Sequence, residues 1–221
     1  MSSYTGIGSR TVSAEEFSFM RNLAWYLGFI DKEWCLRSGG ANGSDTAFFK
    51  GANDGYSKFK IYIPWNNFNG LLEGMYPSST DNYIFNASSF ENRILEQATD
   101  LVKTVVPYWD NLKPAVKKLF LRNMFQVLGE SLNEPSKFVL FCSNEKNSKV
   151  EGGTSVAINL ARELEVPTFN LRYKQIPPFL LERVGDDIKK LNDRLFGMSG
   201  KEYDDTVVRI NFLNNLRDNA K

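Results

Sequence analysis

The chain has 221 residues, 42% of them hydrophobic, and its 27 basic and 26 acidic side chains leave a formal charge of +1. Charge so evenly balanced gives no general attraction to phosphate backbones or anionic membranes, so nucleic-acid binding would need a local patch. Histidine is absent, which excludes Ser-His-Asp triads, Cys-His pairs and imidazole metal sites, and two cysteines far apart, Cys35 and Cys142, exclude a disulfide framework or thiolate zinc site.

No apolar stretch approaches the roughly 20 residues that span a bilayer, and the amino terminus lacks the layout of a signal peptide. A cytoplasmic protein with reduced core thiols is expected, without metal, cofactor or membrane partner.

The first element is a short strand ending in the turn Thr5-Gly6-Ile7-Gly8-Ser9-Arg10. Ser13 and Glu16 then form a capping box that opens a helix to Gly28, with Phe17, Met20, Leu23, Ala24 and Leu27 as its buried stripe. A strand from Trp34 to Arg37 runs into Ser38-Gly39-Gly40-Ala41-Asn42-Gly43-Ser44-Asp45 and a second helix, followed by a strand from Phe59 to Ile63 closed by Pro64. Trp65 to Asn92, rich in Asn, Ser, Gly and aromatic residues without a clean period, reads as a long ordered loop of the lid or binding kind.

Helices are expected over Phe90 to Val102 and Lys113 to Leu128, then a doubly covered strand over Phe138 to Cys142. Glu151-Gly152-Gly153-Thr154-Ser155 opens a further helix, and Val166 to Leu171 reads as the last strand. Two amphipathic helical segments follow, separated at Gly197 to Gly200. The order predicts an α/β class: a Rossmann-like parallel sheet of about five or more strands, helices on both faces, and a C-terminal helical extension. The expected domains are 1–171, with 65–112 as a long loop and helical insertion, and 172–221.

Three Gly-rich turns each follow a strand and precede a helix, so in a parallel sheet they emerge at the same edge, where open α/β sheets bind ligands. Glycine lets a phosphate approach the amides, and each helix start presents unpaired N–H groups with partial positive charge. The first turn offers Gly6, Gly8, Ser9 and Arg10, the second Ser38, Gly39, Gly40, Asn42, Gly43, Ser44 and Asp45, the third Gly152, Gly153 and Thr154. Either a phosphate and ribose cradle or plain tight turns would use such residues. Asp45 fits a helix start and equally a ribose hydroxyl, while Glu151 would repel a phosphate and suits hydroxyls or solvent. Arg122, Asn123 and Gln126 share a helical turn, either as a solvated polar face or with Arg122 reaching ligand phosphate. Trp65, Tyr83 and Trp109 are the aromatic candidates for stacking on a base.

Gly6-Ile7-Gly8-Ser9-Arg10, Arg37 to Ala47, Arg122-Asn123 with Gln126 to Gly129, and Gly152 to Ile158 with Leu160-Ala161 resemble, in this order, the SLOG superfamily of Rossmann-like nucleotide-binding domains. The nearest resemblance is to its small DNA-processing-protein-A-like (DprA-like) members, often encoded by phages, and it spans Tyr4 to about Leu171. The resemblance implies a nucleotide or ADP-ribose-type phosphorylated ligand at the three turns, read here as bound without strong catalysis, and, for a phage protein, a host-cytoplasm location; the C-terminal helices are expected to pack back on the sheet, the alternative being a subunit contact in a homo-oligomer.

Two alternatives come from the same superfamily: a LOG-like phosphoribohydrolase acting on nucleoside monophosphates, and a mediator that binds single-stranded DNA. The hydrolase motif resembles Pro-Gly-Gly-x-Gly-Thr-x-x-Glu, and this chain has Glu151 at the proline position, no third glycine, and Ala157 where the catalytic glutamate is expected. Arg122 fits the enzymes' catalytic arginine, leaving Asp45 and Glu151 as the candidate substitute carboxylates. The mediator would need Arg10, Arg37, Arg122, Lys117 and Lys118 to cluster.

Overall fold

A computed structural model describes residues 2–76 and 82–218. It divides into two compact units, Met1–Arg172 and Tyr173–Lys221. The first begins with β1 (Ser2–Gly8), α1 (Ala14–Ile30), β2 (Trp34–Ser38), α2 (Ser44–Asp54), β3 (Lys58–Ile63) and β4 (Asn82–Asn86). It continues with α3 (Asn92–Val105), α4 (Pro114–Leu128), β5 (Val139–Cys142), β6 (Glu145–Lys146), β7 (Lys149–Val150), α5 (Thr154–Glu163) and β8 (Thr168–Asn170). The second contains α6 (Pro178–Leu195) and α7 (Gly200–Asp218), which contact each other.

Six strands form one parallel sheet in the order β4-β3-β2-β1-β5-β8. Helices α1 and α2 pack together on one side, with α2 against β1, β2 and β3, while α4 lies against the same three strands and packs with α3 and α5. The fold is therefore α/β and Rossmann-like, as the strand and helix alternation predicts. Chain order reverses between β1 and β5, which makes the carboxyl ends of those two strands the switch point where such sheets open a crevice.

Local sequence explains the main elements. Ser13 and Glu16 close the capping box of α1, Glu16 N donating to Ser13 Oγ at 3.1 Å and Ser13 N to Glu16 Oε2 at 2.8 Å. All four β5 residues are buried, which accounts for its unbroken apolar run. Tyr4, Phe48, Phe59 and Phe125 are fully buried, each contributing about 1.5–3 kcal/mol on the scale of a large apolar side chain. Both cysteines are buried, and burial pushes the Cys142 thiol up to about 11.

One expectation needs correction here. The stretch Trp65 to Asn92 is not one loop, because Asn82–Asn86 adds the edge strand β4, paired with β3 along Phe59 to Ile63; its part over 77–81 lies outside the described residues. After β5, β6 and β7 form a small antiparallel hairpin. Among the described residues, no helix is long and apolar enough to cross a membrane.

Candidate nucleotide cleft

A cleft of about 850 Å³ opens at the switch point. The end of β1 contributes Gly8, Ser9, Arg10 and Thr11, and the end of β5 contributes Ser143 and Asn144. The start of α5 adds Glu151 to Ser155, the second Gly-rich turn adds only Ala41 and Asp45, and Arg172 completes the polar side. Facing these, Tyr108 and the α4 residues Val116, Leu119 and Phe120 make an apolar wall, with Arg122, Asn123 and Gln126 further along the helix. Its volume suits a small organic ligand, and pairing an apolar wall with a few polar groups is the usual composition of such sites.

The structure brings Gly8, Ser9, Arg10, Asp45, Arg122, Glu151, Gly152, Gly153 and Thr154 to this cleft. Gly6, Ser38, Gly39, Gly40, Asn42, Gly43, Ser44 and Trp65 do not line it. Gly6 lies beneath the Phe48 ring, where a Cβ would come within 2.6 Å of Phe48 Cγ. Ser38 Oγ donates to Gly6 O at 2.6 Å, and Ser44 donates from both its amide and its hydroxyl to Ser9 O at 3.1 Å. A Cβ on Gly39 would collide with the Arg122 guanidinium. The second turn therefore acts as a buttress that holds the first turn and Arg122 in place. Gly40 and Asn42 face a separate cavity, and Trp65 packs edge-on against Phe68 with ring centroids 5.2 Å apart.

Arg122 is not on a solvated face. It is 7% exposed, and its Nη1 donates to Asp45 Oδ2 at 3.0 Å in a pair that is almost wholly out of water. Ala41 N also donates to Asp45 Oδ2, at 3.2 Å. Burial pushes the Asp45 carboxyl up, and the adjacent Arg122 charge and hydrogen bond oppose that shift. Among the described residues, Arg122 Nε and both side-chain amide atoms of Gln126, which line the cleft, are buried without hydrogen-bond partners, so polar capacity is left unused there.

Arg172 is fastened differently. Its Nε and Nη2 reach Glu16 at 2.7 and 3.1 Å and its Nη1 reaches Asn144 at 2.7 Å. This contact holds the Glu16 carboxyl below its ordinary range. Arg10 is exposed, and among the described residues its guanidinium has no hydrogen bond or ion pair. At the third turn, α5 starts from Gly153 without a side-chain cap, Gly152 has φ +72° with open space around it, and Asn123 Nδ2 ties the turn to α4 through Gly153 O at 3.0 Å. An uncapped helix start beside a free guanidinium is a ready place for an anion.

Sequence reasoning missed Tyr108, Phe120, Ser143, Asn144 and Arg172. Phe120 carried a signal: Val116, Leu119, Phe120, Asn123 and Gln126 recur at three- and four-residue intervals and so share one face of α4. Arg172 carried none, because its place depends on Glu16, 156 positions earlier.

No protein-family model and no curated protein matches the sequence. Among solved structures, DNA processing protein A from Helicobacter pylori, described for its single-stranded DNA binding mode, aligns at a TM-score of 0.47 and 17% identity over 76% of this chain and 64% of that one. DNA processing protein A from Streptococcus pneumoniae aligns at 0.45 and 16% over 76% and 49%. This chain thus spans less than two thirds of either protein's length.

Proposed function

We propose that the cleft binds a nucleotide or ADP-ribose-type phosphorylated ligand and holds it without strong catalysis. The observation that carries this reading is the meeting of an exposed arginine with no hydrogen bond or ion pair among the described residues, an uncapped helix start and an apolar aromatic wall in one crevice at the switch point. Phosphate would sit between Arg10 and the first amides of α5, with Thr11 and Thr154 as hydroxyl donors. Ribose hydroxyls would meet Asn123, Ser143 or Asn144, and the base would lie on Phe120 and Tyr108.

Binding is preferred to glycosidic hydrolysis because the position of the hydrolases' glutamate holds no carboxylate, and of the acids lining the cleft only the exposed Glu151 is not already engaged. Ala157, at the position of the hydrolases' glutamate, is fully buried, and Asp45 is occupied by Arg122 and the Ala41 amide. A second reading, a segment of single-stranded DNA in the same cleft, has less behind it: of the basic residues it would use, Arg37 and Arg122 are buried and paired with Glu134 and Asp45, Lys117 lies over the Trp109 ring, and Arg10 and Lys118 stay exposed. Such binding is what the H. pylori protein is described for.

Calorimetric titration of the full chain with AMP, ADP-ribose and a 5′-phosphorylated oligothymidylate, at two salt concentrations, tests both readings. The first expects one compact nucleotide to bind and be recovered intact, with Arg10→Ala and Thr154→Ala each weakening it by roughly tenfold, the worth of one charge-assisted hydrogen bond. Tighter binding of the oligonucleotide with steep salt dependence would transfer the assignment to the strand. Released free base would establish hydrolysis, and no binding by any of the three would overturn the assignment of the cleft.

A further inference from the structure

A second cavity, of about 370 Å³, lies across the Gly-rich turn from the cleft. Gly40 and Asn42 line it while Ala41 between them lines the cleft, so one residue of backbone separates the two. Its walls are the half-buried rings of Phe49 and Tyr76, which meet edge to face with centroids 6.0 Å apart. Of its charged groups, Asp54 pairs with Arg21 at 2.6 Å, and the exposed Lys50 holds its Nζ 5.7 Å from the centre of the Phe17 ring.

Its neutral polar groups differ in their availability. Asn69 Nδ2 donates to Gly40 O at 2.9 Å and Thr46 Oγ1 to Ala41 O at 2.8 Å. The side-chain amides of Asn42 and Asn53 are exposed and have no partner among the described residues. Aromatic rings with uncharged amides, each both donor and acceptor, match the face and edge of a nucleobase.

We propose that this cavity is a subsite for a second nucleobase, so that the ligand is two nucleosides joined by phosphate and crossing the Gly39 to Gly43 turn. The inference rests on the reading of the main cleft as a nucleotide site and deepens it by naming the ligand class. The linkage fits two sources, a 5′–5′ pyrophosphate-linked dinucleotide and a 3′–5′ phosphodiester-linked one.

The full chain is titrated with AMP, with NAD+ as the 5′–5′ probe, and with 5′-phosphorylated diadenylate as the 3′–5′ probe. One dinucleotide is expected to bind about tenfold tighter than AMP, the increment of one well-seated base. Asn53→Trp, on the exposed side of α2, fills the cavity, and Asn42→Ala removes one amide. Both are expected to bring the dinucleotide towards the affinity of AMP while AMP itself binds as before, with unchanged circular dichroism showing an intact fold. Equal affinity for AMP and both dinucleotides, or an advantage that survives Asn53→Trp, overturns the subsite and leaves the main cleft standing. Failure of all three probes removes the main cleft's assignment and the subsite with it.

Discussion

At the scale of single residues, the main risk in this chain is the buried Arg122 and Asp45 pair. Taking one partner away strands a charge out of water, so Arg122→Ala is expected to cost about 3–5 kcal/mol in urea unfolding. Removing both in Arg122→Ala with Asp45→Ala should cost clearly less than the two single losses combined, since neither charge is then left alone. Gly39→Ala provides an independent check. Its new Cβ would occupy the place of the guanidinium, so it should destabilise the natural chain strongly and the Arg122→Ala chain much less. The second Gly-rich turn was legible in the sequence as special, but not the reason for it. Three glycines in five residues suggested an anion, whereas Gly39 yields its side-chain space to Arg122, and Gly43 leaves room for the carbonyls of Ser9 and Arg10. These are long-range demands, and neither periodicity nor spacing encodes them.

At the scale of elements, the capping box at the start of α1 also fixes a wall of the cleft. Glu16 satisfies the Ser13 amide and grips Arg172, which in turn reaches Asn144 at the end of β5. Because the grip lowers the Glu16 pKa in the folded state, its stabilisation is present above the ordinary carboxyl range and is lost as pH falls through the folded value. Glu16→Gln keeps a capping side chain and removes the charge. The variant is therefore expected to unfold at lower urea near neutral pH and to converge on the natural chain only once the pH has fallen below the lowered folded-state value, where Glu16 is protonated in both the folded and the unfolded chain. Helices with caps and clean stripes, such as α1 and α4, could be read in advance to within a few residues. Strand β4 could not, because Asn-Tyr-Ile-Phe-Asn at the sheet edge is only half-buried and its flanks are loop-like in composition. Hairpin strands of two residues, like β6 and β7, fall below any usable period.

At the scale of the molecule, the parallel order with its reversal between β1 and β5 does what composition alone could not. It takes segments that begin near residues 8, 41, 116, 143 and 151 and delivers them to one crevice. A ligand seated there binds the folded sheet and not the unfolded chain, so it must raise the stability of the first unit by mass action. At a hundredfold excess over its dissociation constant the gain is about 2.7 kcal/mol. For a unit of this size, each kcal/mol moves the midpoint by roughly 2–4 °C, so scanning calorimetry should show a rise of about 5–11 °C. At that same ligand concentration, Arg10→Ala should give a visibly smaller rise while melting like the natural chain without ligand, because its exposed guanidinium makes no hydrogen bond or ion pair among the described residues. Hydrogen exchange adds a positional check. Protection should grow at the amides of residues 8–11 and 152–156, which meet across the cleft, and not along α3, which lies away from it. A uniform gain over the whole sheet, or none at the two turns, would mean that the ligand stabilises the fold from some other place.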